Sequence, residues 1–371
     1  MQSRLNSGPI PRGEPDEIQR EMDVHRVEGE ALYASHGYRI LRSPDAGKTW
    51  SDDGWISVPW WRRVLDSYPL TRRMSRGGVA GVWPQTDGSR LCVVPKMIMR
   101  AEPGSSTYRC VLHVDKGSRP LNLCHGKNGE VYWGEYFLNL RRSEPVRIFG
   151  SKDKGRSWAV IYTFPRGTIC HVHRIVYDPY GNDILVCTGD RDHEVAILRT
   201  TNGFHTLEPI VQGDQQYRTT SIIPTKESIL YGTDNPTGDN YVMTLNRKNR
   251  SVERVQELPG PVLYGCRVGE FAVFGTMVEK KNHEVTVWAG NERAFRLVAH
   301  FNTKKGSWFW REAAGYSTVI LPEGTGRWPH LFLTPLGTQE FANSLLRINL
   351  EKVMKDQGKR IKVKGAFDAS L

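Results

Sequence analysis

His171 and His173 are separated by one residue, and the stretch Gly189-Asp190-Arg191-Asp192-His193-Glu194 follows closely. In an extended strand alternate side chains share a face, so both imidazoles point the same way. Nitrogen and oxygen donors of this kind can hold a divalent metal, with His171, His173, Asp192 and His193 as the candidate ligands. They also suit proton transfer, since a histidine titrates near neutrality and carboxylates can orient it. A third reading is a hydrogen-bonded cluster that only joins strands. Tyr217-Arg218 adds a different capacity: a planar fork for a carboxylate, beside a phenol able to stack on a sugar or donate a proton.

The whole chain narrows the partners. Its 371 residues carry 51 Lys and Arg against 40 Asp and Glu, a net charge of +11. Such a protein attracts polyanions. Nucleic acid and acidic poly- or oligosaccharide both fit that charge; no RNA-binding motif or aromatic-interleaved basic strip is present, so nucleic acid is the less expected of the two. With 39% hydrophobic residues the chain can build a large core. No apolar run is long enough to cross a membrane, and no membrane partner is expected. Met1 to Asp23 is polar and lacks an apolar leader core, which reads as cytoplasmic, or as extracellular or periplasmic if a leader has been removed. The six cysteines include no C-x-x-C pair and mostly sit in apolar runs, so they read as reduced, buried small hydrophobes.

What positions the histidines is an internal repeat. Ser43-Pro44-Asp45-Ala46-Gly47-Lys48-Thr49-Trp50 and Ser151-Lys152-Asp153-Lys154-Gly155-Arg156-Ser157-Trp158 both obey S-x-D-x-G-x-[ST]-W. Asp and Gly suit a tight reversal, Ser or Thr supports it, and Trp opens the next strand. Weaker copies begin at Thr200, Asn246 and Ala289. The spacing of about 45 residues is that of a four-stranded propeller blade. The pattern resembles the Asp-box, or BNR repeat, of the sialidase-like β-propellers. That resemblance implies a turn between third and fourth strands, on the face away from the active site.

The expected fold is therefore all-β, a propeller of four-stranded antiparallel blades. Seven are drafted, over about 30–70, 77–116, 121–165, 168–212, 216–258, 261–301 and 315–350, with six the alternative. One blade must mix strands from both chain ends to close the ring. Residues 26–350 form the propeller, 1–25 a polar extension and 351–371 a basic tail. Short helices fit only Trp60 to Tyr68 and Phe341 to Lys355.

Second strands align without gaps as Val131 to Glu135, Val186 to Asp190, Leu230 to Asp234 and Val273 to Met277. Their ends should meet the first-strand starts at one mouth of the central channel. The expected catalytic set is His171, His173, Asp190, Glu135, Asp234 and Tyr217. The expected substrate-binding set is Arg218, Arg174, Lys96, His125, Arg191 and Arg267. The resemblance implies a carbohydrate-active enzyme that cleaves an acidic glycan, by hydrolysis first and β-elimination second; the histidine-rich centre is similar to propeller polysaccharide lyases. The alternative is a non-catalytic glycan- or protein-binding scaffold. No cofactor is required, and a divalent metal is compatible.

Overall fold

The second strands explain the architecture. Asp183–Thr188 and Ser228–Gly232 are buried at every position, so both faces of these sheets are covered. Successive side chains of a strand point to opposite faces. Leu230 accordingly joins one apolar cluster while Tyr231 joins another. Each of the seven clusters draws residues from two neighbouring sheets. The core is thus divided among the interfaces between blades.

The protein, described by a computed structural model over residues 16–68, 71, 72, 75, 77–278, 283–303 and 317–356, is a seven-bladed propeller. Blade one comprises Asp23–Gly29, Ala31–His36, Arg39–Ser43 and Ser51–Trp55. Blade four comprises Val172–Asp178, Asp183–Thr188, Ala196–Thr200 and Glu208–Gln212. Blades two, three, five and six begin at Gly81, Cys124, Ser221 and Val262 and follow the same up-and-down order.

Blade seven closes the ring. Its sheet holds Thr318–Ile320, His330–Leu336 and Leu345–Asn349, and its outer strand is Asp16–Gln19 from the other end of the chain. The polar stretch expected as an extension over 1–25 therefore supplies this strand and the start of blade one. Its polarity misleads because an outer strand buries little: three of its four residues are exposed, and Ile18 packs inward. Past residue 350 the chain forms a short helix, Leu350–Lys355; residues 357–371 of the expected tail lie outside those described.

A second latch lies at the same seam. Beyond Ile320 the chain leaves the sheet of blade seven, and Glu323–Gly326 pairs in parallel with Asp23–Gly29 of blade one. Glu323 then reaches across the channel. Its carboxylate binds Arg174 of blade four at 2.6 Å, lies 3.7 Å from Arg26 of blade one, and accepts from the Trp83 indole of blade two at 2.8 Å.

The two repeated turns share one bonding pattern. Gly47 N–H donates to Ser43 Oγ at 2.8 Å and Gly155 N–H to Ser151 Oγ at 2.7 Å. Asp45 and Asp153 accept from the Thr49 and Ser157 amides at 2.8 and 2.9 Å. Both glycines have positive φ, and a Cβ on them would strike Ile18 and Leu91 of the preceding blade at 2.8 and 2.6 Å. Arg347 and Arg100, from those same preceding blades, donate to the Ala46 and Lys154 carbonyls. The turns therefore brace neighbouring blades.

One buried histidine gives a stability prediction. His25 is 7% exposed and bonds Ser35 Oγ at 2.8 Å. Burial, helped by Arg119, pushes its pKa down to about 3. The unfolded chain takes up this proton near pH 6.5, so the contribution is full above that pH and is lost as pH falls towards the folded value. Between pH 7 and pH 5 the loss is about 2 kcal/mol. Urea midpoints at the two pH values should show it, and the drop should shrink in His25→Gln; an unchanged pH slope in the variant would refute the assignment.

Candidate active site at the channel mouth

Cys170 and His171 lead into the first strand of blade four, which carries a bulge between Val172 and Arg174. A bulge bends the strand and re-aims the extra residue, here His173. The two Nε2 atoms lie 2.9 Å apart. Asp190 Oδ1 sits 3.3 Å from the His173 nitrogen and 3.4 Å from that of His171. From blade five, Arg218 Nη2 lies 3.1 Å from the same carboxylate oxygen, and its Nε lies 3.5 Å from Asp234 Oδ2. Blade three supplies the wall: Tyr136 packs 4.1 Å from the His171 ring, and His171 Nδ1 lies 3.3 Å from the Phe137 carbonyl oxygen.

The electrostatics separate the two rings. Burial opposes charge on His171, but hydrogen bonds to Asp190 and Cys170 outweigh it and raise its pKa to about 9. Burial pushes His173 down to about 4, with the His171 charge acting in the same direction against Asp190. Burial also opposes charge on Asp190, yet the two imidazoles hold it well below the usual carboxylate range. Near neutral pH the cluster is one imidazolium, one neutral imidazole and one carboxylate, beside a guanidinium.

Behind this cluster stands a pair that sequence reasoning missed. Arg142 Nε bonds Glu194 Oε1 at 2.5 Å with both side chains buried, and Glu194 Oε2 accepts from the Cys170 amide at 3.0 Å. The bond ties the long loop of blade three to the turn that carries Asp190. That loop also borders an open groove of about 530 Å³ lined by Lys116, Phe137, Leu138, Leu140, Arg141 and Glu144. Leu138 is 81% exposed there.

Five of the expected residues are brought together: His171, His173, Asp190, Arg218 and Asp234. Tyr217 ends the adjoining turn Gln215–Tyr217 and is half-buried. Glu135 is not at the mouth. It is buried and clamped by Arg147, with Nη2–Oε1 at 2.5 Å and the Arg147 amide donating to Oε2 at 2.8 Å. The gapless alignment misplaced it. Thr233 and Thr276 accept the corresponding third-strand amides, from Tyr241 and Thr286, at 2.9 Å each. Val172 and Val262 amides donate to the Glu135 and Thr233 carbonyls in the same way. Glu135 is therefore the counterpart of the threonines, and a shift of one residue turns a strand side chain to the other face.

The remaining residues are dispersed. Arg174 is held by Glu323 inside the channel. His125 meets Gln85 of blade two at 2.8 Å, and Arg267 donates to the Pro224 carbonyl at 2.6 Å. Lys96 and Arg191 are exposed, with Lys96 Nζ 3.3 Å from the Asp115 carbonyl. Asp192 accepts from Gln215 at 3.0 Å, while His193 is largely exposed beside Glu194. Asp192 and His193 thus have partners other than His171 and His173. Among the described residues the group placed to hold a divalent metal is Cys170, His171 and Asp190. All six cysteines are free thiols, and Cys110, on an outer strand, is exposed where burial was expected.

Fold and mouth together define a seven-bladed β-propeller with a charged cluster at one channel end. No family model and no curated protein matches the chain. Solved structures do match its fold. An ancestral GH74 enzyme is similar at 14% identity over 90% of this chain and 46% of that one, with a TM-score of 0.52. The extracellular domain of BT4673 from B. thetaiotaomicron is similar at 9% identity over 92% and 39%, with a TM-score of 0.54. YCF48 from Cyanidioschyzon merolae is similar at 12% identity over 91% and 98%, with a TM-score of 0.54. The chain spans less than half the length of the first two. At such identities the likeness is one of fold.

Proposed function

We propose that the chain is a carbohydrate-active propeller of the Asp-box kind that cleaves a glycosidic bond in an acidic glycan, by β-elimination, at the His171–His173–Asp190–Arg218 mouth. The observation carrying this reading is the neutral imidazole of His173 set against the His171 imidazolium, with Arg218 alongside. Arg218 is suited to a uronate carboxylate, whose neutralisation acidifies the neighbouring C–H. Neutral His173 takes that proton, the C4–O bond to the departing sugar breaks, and the His171 imidazolium gives its proton to the leaving oxygen, while Asp190 holds the rings in place. The groove beside Phe137 accommodates further sugars of the chain.

Hydrolysis, the first expectation from sequence, is less well supplied. It needs a protonated carboxyl and a second, free carboxylate. Glu135 and Glu194 are each bound by an arginine, and Asp190 is held ionised. The GH74 neighbour agrees with a glycan substrate and leaves the reaction open.

Incubation with a panel of uronate-containing polysaccharides tests the reading. Ultraviolet absorbance of an unsaturated uronate should grow, fail in His173→Ala, and show a raised KM in Arg218→Ala. Reducing ends without that absorbance would mean hydrolysis. Glycan binding with neither product, across the panel, would mean a binding scaffold and would overturn the enzymatic reading.

A further inference from the structure

The connection from blade one to blade two carries a helix turned inside out. In Trp60–Ser67 the polar side is the buried one. Asp66 is 4% exposed and accepts from Tyr38 Oη at 2.6 Å, Ser75 Oγ at 2.7 Å and Arg62 Nε at 3.0 Å. Gly77 passes so close to this carboxylate that a Cβ would collide with it. The Tyr38 hydroxyl, donating to Asp66, pins the helix over the turn of blade one that contains this tyrosine. Residues one turn apart share a helix face. Trp60, Trp61, Val64, Leu65 and Tyr68 occupy the outward face, at 77%, 53%, 55%, 39% and 65% exposure. Trp55 extends the patch at 54%, with the Arg63 guanidinium 4.7 Å above its ring.

Soluble folds seldom leave so many large apolar side chains contiguous in water. The charge around them says what covers them. By sequence the connection 56–80 carries five arginines and one acid, Asp66; Arg62 neutralises that acid inside, and Arg63 lies against the patch itself. Aliphatic and indole side chains bordered by arginine match an anionic lipid interface, where the apolar groups enter the acyl boundary and the cations meet headgroups. Exposed Val64 and Leu65 argue against a sugar as the occupant, because sugars pack on aromatic faces.

We propose that this helix docks the propeller on an anionic lipid surface, as a peripheral contact on the face that also bears the channel mouth. The connection follows the fourth strand of blade one, whose end lies on that face. The inference stands apart from the enzymatic reading, since vesicle binding can be measured without turnover.

The full chain would be sedimented with vesicles of phosphatidylcholine alone and of phosphatidylcholine with phosphatidylglycerol. It should pellet with the anionic vesicles, with a blue-shifted tryptophan emission and weaker binding in salt. The double variant Trp60→Ser, Trp61→Ser and the single variant Arg63→Glu should each bind about tenfold more weakly or worse, with melting temperatures unchanged. Absence of vesicle binding by the parent chain overturns the proposal. So does binding that the variants leave intact. A dimer seen by sedimentation velocity and dissolved by the tryptophan variant would assign the patch to a second copy. Capture of soluble acidic polysaccharide through the same residues, without vesicle binding, would assign it to glycan.

Discussion

Replacing Asp190 with Asn should reduce turnover by about 10²-fold or more and move the alkaline limb of the pH profile. In the parent chain the limb falls as His171 loses its proton, near pH 9. That proton is retained because Asp190 accepts from the ring against the cost of burial. The amide removes the charge, so the limb should slide towards the ordinary imidazole range. On the acid side the rate should fall as His173 takes a proton, near pH 4. Rate against pH for both proteins checks the two movements together. A variant as active as the parent, with its alkaline limb in place, would remove the cluster from the chemistry. Asp190→Asn keeps the size of the side chain, so melting should distinguish loss of chemistry from loss of fold.

Glu194→Gln should be the most destabilising single change at the mouth, by about 3–5 kcal/mol. The side chain of Glu194 is fully buried and that of Arg142 is 7% exposed. Without the carboxylate a buried guanidinium loses its hydrogen-bonded counter-charge, and the Cys170 amide loses a charged acceptor. Chemical denaturation should show the drop. The double replacement Arg142→Met, Glu194→Leu should recover much of it, because two apolar groups leave no charge stranded. If the single and double variants unfold alike, the pair is not what holds these loops.

Legibility in the sequence followed the range of the interactions. The eight-residue turns were readable because everything that makes them is local: Ser43, Asp45, Gly47 and Thr49 bond one another. The blade count followed from their spacing, and His171, His173 and Asp190 from strand ends within a single blade. The Arg142–Glu194 pairing was invisible because 52 positions separate the two residues and only packing joins their loops. Glu323 was hidden for a different reason. Pro322, Gly324 and Gly326 read as loop, and the segment becomes a strand only because blade one offers an open edge inside the channel. Glu135 was misread by one register step, since threonine and glutamate perform the same bonding task in different blades and a gapless comparison cannot see the task. The outward stripe of Trp60 to Tyr68 had the helical spacing of a core-facing element. What reversed it was Asp66, whose partners Tyr38 and Ser75 come from outside the helix.

Both fastenings of the ring fall between the last blade and the first. On the outside Asp16–Gln19 is stitched to Leu345–Asn349; on the inside Glu323–Gly326 is stitched to Asp23–Gly29. Neither can form until the last blade has left the ribosome. A nascent molecule would thus spend most of synthesis as an open crescent, and the finished one should give way first along that line. Hydrogen exchange of the Asp16–Gly29 amides should report opening earlier than that of blades four and five.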